Sequence, residues 1–141
     1  MPRADFYLIA TPRFRESPLK LVCELARKAH DAGQWTLVLA RDRAQAEAID
    51  DQLWDMGEDT YIPHQIAGED EEDEDAAVLI ATPDTDAPLR PLVINLRDAS
   101  VQGAFDRVLE VVPADESARG PLRERWKHYQ AQGFEVTKHD M

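Results

Sequence analysis

The hydrophobic pattern of the chain alternates between short continuous apolar runs and stretches where apolar residues recur every three or four positions. Runs of the first kind are typical of strands covered on both faces. The second spacing is typical of helices that pack on one face. Predicted strands occupy residues 5–10, 35–40, 78–81, 92–96, 107–112 and 134–137. Strands and helices alternate in the first half, which favours right-handed crossovers and a parallel sheet.

Start and stop signals place the predicted helices. Ser17 followed by Pro18 is typical of a cap and a first helical position, and Gly33 ends that helix. A second helix begins after Asp42 and runs to about residue 56. Its inward face is predicted to carry Ala46, Ile49 and Leu53.

The second half of the chain is predicted with less regular elements. Residues 61–64 are short and interrupted by Pro63, which argues against a central strand. A short helical turn is predicted around residues 102–106. The last helix is predicted to start at Asp115 or Ser117 and to end at Gly133.

Length and pattern together predict one domain over residues 1–141. A chain of 141 residues fits a single core, and neither an internal repeat nor a long linker divides it. We therefore predict a single-domain, Rossmann-like three-layer α/β sandwich with a mostly parallel sheet.

Charge is distributed very unevenly along the chain. The net charge is −12, which argues against a protein that mainly binds the phosphate backbone of nucleic acids. Residues 69–75 are all acidic and are predicted to form a solvated loop, since like charges cannot pack together. Residues 119–127 carry four cations and one acid. A domain with an acidic loop and a basic face can meet partners of both signs.

Cysteine usage and hydropathy indicate where the protein works. A single cysteine, Cys23, excludes an internal disulfide and fits a reducing cytoplasm. Cys23 lies among apolar helix positions and is predicted to be a packed thiol. No apolar run approaches the about 18 residues of a membrane span, and the chain does not open like a signal peptide. We therefore expect a soluble cytoplasmic domain.

Motifs for catalysis are missing from the sequence. The turn after the first predicted strand, residues 10–15, has no glycine, although a nucleotide site in this fold needs glycines for close backbone approach. The histidines are not at metal-ligand spacing, and no serine lies in a nucleophile elbow. We predict no catalytic residue, no cofactor and no metal. The alternative is a small nucleotide-dependent Rossmann-like enzyme that uses Arg13 and Arg15.

The last helix is the most informative segment for binding. At about 100° per residue, Leu122 and Tyr129 share an inward face, and Trp126 lies at the border of a neighbouring stripe. That stripe is predicted to carry Arg119, Arg123, Lys127 and Gln130. An aromatic wall beside several cations suits an acidic peptide with an apolar anchor. The alternative is an ordinary amphipathic helix with a solvated basic face and Trp126 inside.

A second aromatic patch is predicted at the end of the second helix. Trp54 lies about 100° away from the buried stripe, and Tyr61 follows across a short turn. The pair would either meet a partner or complete the core as a local aromatic cluster.

Several blocks of the sequence resemble the chi subunit family of bacterial DNA polymerase III, from about Ala4 to Val136. The blocks, in order, are DFYL (5–8), LVCELA (21–26), AIDDQLW (48–54), PHQIAGE (63–69), LVINL (92–96), VVP (111–113), RERWKHY (123–129) and GF (133–134).

The resemblance implies a Rossmann-like, non-catalytic accessory subunit of the clamp-loader complex that acts in DNA replication. It implies two partners: the psi subunit and the acidic, phenylalanine-ended C-terminal tail of single-stranded-DNA-binding protein. Direct binding to nucleic acid or membrane is not expected. The implied tail site consists of Val112, Arg123, Arg125, Trp126, Lys127, Gly133 and Phe134. The implied psi site, which in this family also receives an XPD-like helicase, consists of Trp54, Tyr61 and Pro63. No role is transferred to residues 69–75.

Overall fold

The structure is a computed structural model that describes residues 2–55, 62–68, 76–85 and 87–141. The strands in these ranges are β1 (Arg3–Leu8), β2 (Thr36–Leu39), β3 (His64–Ile66), β4 (Val78–Ala81), β5 (Leu92–Asn95), β6 (Arg107–Val112) and β7 (Glu135–Asp140). The α-helices are α1 (Pro12–Glu16), α2 (Pro18–Asp31), α3 (Arg43–Trp54) and α4 (Arg119–Ala131), with a short 3₁₀ turn at Glu116–Ala118.

The described strands form one sheet in the order β3-β4-β2-β5-β6-β1-β7. Every neighbouring pair is parallel. The predicted α/β fold with a mostly parallel sheet is therefore confirmed, and its described part is parallel throughout. The central strands are buried along their length, as expected when both faces of a parallel sheet are covered.

Helices cover the two faces of the sheet unequally. Helices α1, α2 and α3 pack on one face, where the buried set includes Phe14, Leu21, Ile49 and Ile94. Helix α4 packs on the other face, over β1 and β6. Beside α4, residues 82–85 and 87–90 cover β2 and β4, and these described residues form no helix. A small apolar cluster lies beneath them.

The predicted positions of α2 and α3 are confirmed, although the Ser17 side chain makes no capping hydrogen bond at the start of α2. Asp42 caps α3 by accepting a hydrogen bond from the Gln45 backbone N–H at 2.8 Å. Gly33 follows α2 with a φ of 73°, in the left-handed region that glycine adopts at low cost. Cys23 is buried, and burial raises the pKa of its thiol to about 12. The thiol is thus held in its unreactive protonated form.

Other local predictions were wrong. Residues 102–106 form no helical turn, and an unpredicted short helix, α1, begins directly after the turn that follows β1. Arg13 on α1 is ion-paired with Glu24. Trp35 is not part of β2: it precedes the strand with 46% of its surface exposed, and the Arg90 guanidinium lies 5.2 Å from its ring centre.

Residues 69–75 and Tyr61 lie outside the described residues.

A buried carboxylate joins three strands at the β7 side of the sheet. Asp5 on β1 has no exposed surface and accepts a hydrogen bond from Arg107 Nε on β6 at 2.6 Å. Thr137 on β7 donates to its other oxygen, and His139 Nε2 lies 3.1 Å from that oxygen. Burial alone would raise the pKa of Asp5, but the bonds from Thr137, Arg107 and His139 outweigh it and lower the pKa below its usual value of 3.8.

We expect Asp5→Asn to lower the free energy of unfolding by about 2 kcal/mol at neutral pH, because bonds to a charged acceptor are lost. A lowered pKa means that the carboxylate stabilises the fold above about pH 4 and that this contribution is lost as the pH falls through the folded-state pKa. Urea unfolding at pH 7, 5 and 3 should therefore show the two proteins converging in acid. A difference that stays constant with pH would contradict this role for Asp5.

Candidate docking surfaces

Helix α4 is held at both ends by local backbone features. Asp115 starts the preceding 3₁₀ turn by accepting a hydrogen bond from the Ser117 backbone N–H at 3.0 Å. At the other end Gly133 has a φ of 85°, which lets the chain turn sharply into β7. Tyr129 anchors the last turn of the helix, because its ring is fully buried against Phe6 and Phe134.

Three cations lie on the solvent side of α4: Arg119, Arg123 and Lys127 are all exposed. Residues four apart on a helix share a face, so the three side chains form one row, named here the basic stripe. Within the described ranges, none of the three is ion-paired with a carboxylate. The stripe is therefore available to a negatively charged ligand.

An open cavity of about 410 Å³ adjoins the basic stripe at the carboxyl ends of β1 and β6. Arg119 and Arg123 line it from α4. The apolar part of its wall consists of Leu8, Ile9, Val112, Pro113 and Leu122. Asp115 and Asp140 also reach the cavity. This stripe cavity combines cations at its mouth with an apolar interior, which suits an apolar side chain attached to an anion.

Arg125 is not part of this surface. Its side chain is 5% exposed, and its Nε lies 2.9 Å from Glu110 Oε1 on β6. Its Nη1 donates to the Asp98 carbonyl at 3.0 Å. A residue committed to a buried ion pair cannot reach a ligand on the basic stripe. Arg125, a member of the implied tail site, therefore lies in the core beneath the basic stripe.

Glu110 is the centre of this buried network, and the sequence pattern did not lead us to predict it. It accepts hydrogen bonds from Tyr129 Oη at 2.7 Å and from Asn95 Nδ2 at 2.9 Å, in addition to that of Arg125. Burial raises the pKa of Glu110, and the charge of Arg125 opposes that shift. An acid in the middle of a strand-forming apolar run needs a buried partner, and that pattern could have revealed it.

The remaining members of the implied tail site lie at different places along α4. Val112 is buried in the floor of the stripe cavity, and Lys127 extends the stripe. Trp126 is half-buried, with its ring centre 5.1 Å from that of Phe6. Phe134 lies past the far end of the helix, packed against Tyr129 and Phe105. The structure therefore brings Val112 and Arg123 to one cavity and leaves Gly133 and Phe134 at the opposite end of α4.

The second aromatic patch lies at the β3 edge of the sheet. Trp54, the last residue of α3, is 59% exposed and therefore does not complete the core. One side of its ring packs edge-on against His64, with ring centres 5.0 Å apart. Pro63 precedes His64 and is half-buried, and its carbonyl accepts a hydrogen bond from the Val78 backbone N–H. Trp54 and Pro63 therefore both adjoin His64, the first residue of the edge strand β3.

In the ranges that the structure describes, no group of three or more His, Cys, Asp or Glu side chains is arranged to hold a metal ion. Across the same residues, every helix is too short or too polar to span a bilayer.

Residues 1–137 match the family described as DNA polymerase III chi subunit, HolC. The chain belongs to the DNA polymerase III chi subunit family. A chi subunit from Pseudomonas aeruginosa is 33% identical over 143 residues, covering 99% of this chain and 96% of the relative. The chi subunit of Escherichia coli is also 33% identical over 143 residues, covering 97% of each protein. The family resemblance seen in the sequence is thereby confirmed.

Two solved structures of larger proteins contain a fold similar to that of this chi-family chain. A DEAD box protein from Methanococcus jannaschii matches with a TM-score of 0.58 at 13% identity, over 98% of this chain and 41% of that protein. T4 UvsW matches with a TM-score of 0.64 at 11% identity, over 99% of this chain and 41% of that protein. At such low identity these matches establish the Rossmann-like fold alone.

Proposed function

We propose that this chi-family chain is a non-catalytic adaptor of DNA polymerase III. In this proposal it links the clamp-loader complex, through a psi subunit, to the acidic C-terminal tail of single-stranded-DNA-binding protein. It would act in the cytoplasm during replication. Family membership supports a role in the polymerase, and the two docking surfaces support the choice of partners.

The observation that carries the tail-binding proposal is the position of Arg123. This exposed arginine lies at the mouth of the stripe cavity, whose wall includes the buried Val112. A tail that ends in phenylalanine presents an apolar ring and a carboxylate on the same residue. The ring would enter the cavity, and Arg123 with Arg119 would bind the carboxylate through charge-assisted hydrogen bonds.

The spacing of the basic stripe also fits an extended acidic peptide. Residues four apart on a helix are separated by about 6 Å along its axis. Alternate residues of an extended chain are separated by about 6.6 Å. Carboxylates on one side of the tail would therefore follow Arg119, Arg123 and Lys127 in register. Half-buried Trp126 would contribute apolar contact area beside this row.

A fluorescent peptide with the host's acidic tail sequence is expected to bind the protein with strong salt dependence. Charges at an exposed surface are screened over about 8 Å at physiological ionic strength and over about 3 Å at 1 M. Fluorescence anisotropy in 50 mM and 500 mM NaCl would measure the effect. A peptide that lacks the final phenylalanine is the control for the cavity, and it should bind more weakly at both salt concentrations. No binding of the full peptide at low salt would refute the tail proposal.

We assign the patch around Trp54 and Pro63 to psi or to an XPD-like helicase. An exposed tryptophan with one side fixed by a neighbouring ring is typical of an interface anchor, because little side-chain entropy is lost on binding. Tyr61 remains part of this proposal on the strength of the family resemblance.

Trp54→Ala is expected to weaken binding to the psi-side partner by at least about tenfold, since large aromatic anchors often contribute 2 kcal/mol or more. Pull-down from host extract followed by calorimetry with the purified partner would measure the change. Trp35→Ala is the matched control, because Trp35 is also exposed but lies at the start of β2, an interior strand of the sheet. Equal losses for the two variants would contradict a specific role of Trp54.

A further inference from the structure

A cavity of about 340 Å³ lies at the carboxyl ends of β2, β4 and β5, on the α4 side of the sheet. It shares no lining residue with the stripe cavity. Ligands of open parallel sheets bind in this position, outside the carboxyl ends of the strands. Its volume is at the lower end of the range for small-molecule sites, about 300–1,000 Å³. The space therefore fits a compact molecule rather than a dinucleotide.

Arg97 is the charged group of this cavity. It follows β5 directly, and its Nε donates to the Ala40 carbonyl at 2.8 Å while its Nη2 donates to the Ala81 carbonyl at 3.1 Å. These bonds fix the guanidinium at the ends of two strands. No carboxylate in the described ranges forms an ion pair with it, and Nη1 has no protein partner there. Burial lowers the pKa of Arg97, but an arginine keeps its charge in proteins.

The other polar groups in the wall can also donate hydrogen bonds. Ser100 has no hydrogen-bond partner among the described residues. The Thr85 hydroxyl lies 3.3 Å from that of Thr82, whose proton is donated to Asp84. Asn95 also lines the cavity, but its side chain is fully engaged by Glu110 and by the backbone of residues 97 and 99. No acidic side chain of the described residues lines this wall. An anion is the ligand that such a donor set prefers.

The opposite part of the wall is apolar. It consists of Leu37, Leu39, Ala81, Ala87, Leu89 and Val101. A free inorganic ion would leave this surface in contact with water, so the ligand should have an apolar body as well as a charged head.

We propose that this cavity, named here the Arg97 pocket, binds a small organic anion, with Arg97 and Ser100 holding its carboxylate or phosphate head. The apolar body of the ligand would lie against Leu37 and Leu89. The pocket is separate from the basic stripe, so the chain would carry a small-molecule site in addition to its protein-docking surfaces.

The test is an NMR titration of the ¹⁵N-labelled full chain with phenyl phosphate, benzoate and benzyl alcohol. One or both anions should shift the backbone amides of Thr85, Arg97, Ser100 and Val101 in a saturable way, and the uncharged alcohol should not. The stronger of the two anions identifies the head group as phosphate or carboxylate. If neither anion shifts these amides, or if the alcohol shifts them equally, the proposal is wrong.

Variants locate the binding to the pocket. Arg97→Gln should weaken binding at least about tenfold, because a charge-assisted hydrogen bond is lost. Ser100→Ala removes a wall hydroxyl without touching the strand ends and should weaken binding about threefold; it gives the answer if Arg97→Gln does not fold. Arg27→Ala, an exposed cation on α2, is the matched control and should bind as the wild type does. Unchanged binding in Ser100→Ala and in a folded Arg97→Gln would overturn the assignment.

Discussion

Replacing Arg125 with alanine is expected to lower the free energy of unfolding by about 3–5 kcal/mol, because it leaves the Glu110 carboxylate buried without its cation. The wild-type ion pair is almost completely enclosed, with 5% of the Arg125 side chain and 0% of the Glu110 side chain exposed. Tyr129 and Asn95 would still donate to Glu110, but neither carries a charge that balances it.

Urea unfolding measured by circular dichroism would test this prediction. Arg123→Ala is the matched control, since the same change two positions earlier removes an exposed side chain and should alter stability by no more than about 0.5 kcal/mol. The deficit of Arg125→Ala should shrink as the pH falls, because protonation of Glu110 removes the unpaired charge. Adding Glu110→Gln to Arg125→Ala should recover part of the loss at neutral pH for the same reason. Equal stabilities of Arg125→Ala and Arg123→Ala would contradict the buried network.

The second large effect concerns binding, and it is predicted for Arg123. Arg123→Ala should lower the affinity for the acidic tail peptide at least about tenfold while leaving the fold intact, because the cation at the mouth of the stripe cavity is lost. Arg123→Lys should recover only part of the affinity, since an ammonium cannot form the paired hydrogen bonds of a guanidinium. Anisotropy of the labelled peptide would measure both variants.

A control on another helix separates this effect from loss of net charge. Arg27→Ala on α2 also removes one exposed positive charge, but it lies on the face of the sheet opposite α4. It should leave peptide affinity unchanged at moderate salt. If Arg27→Ala lowered the peptide affinity as much as Arg123→Ala does, binding would depend on overall charge and not on the basic stripe.

Periodicity alone could have separated these two arginines. Arg123 and Arg125 are two positions apart, so their side chains point about 200° from each other around the helix axis. Arg125 lies three residues after Leu122 and four before Tyr129, which were both predicted to face the core. The family resemblance grouped Arg125 with the exposed cations because the block is contiguous in sequence. The physical reason for its burial is Glu110, which comes from a different element and has no local sequence relationship to α4.

The fold was predictable because its signals are local. Apolar runs and caps such as Asp42 depend on neighbouring residues, and they located the central strands and the two long helices of the first half. The failures involve contacts between distant parts of the chain. Trp35 continues an apolar run but lies outside β2, where it stacks with Arg90 from another segment. The cavities could not be predicted, because strand order brings Val112 next to Arg123 and Arg97 next to the ends of β2 and β4.

The position of β1 in the sheet has a consequence for the order of folding. This strand precedes the other described strands in the sequence, yet its neighbours are β6 and β7, and the pairs that Asp5 makes with them are 102 and 134 positions apart. The strand therefore cannot acquire its native neighbours until β6 and β7 have been synthesised. Such long-range pairing slows folding. A ribosome-bound chain that stops before β6 should hold α2 and α3 on an incomplete sheet, with the Asp5 carboxylate still in water.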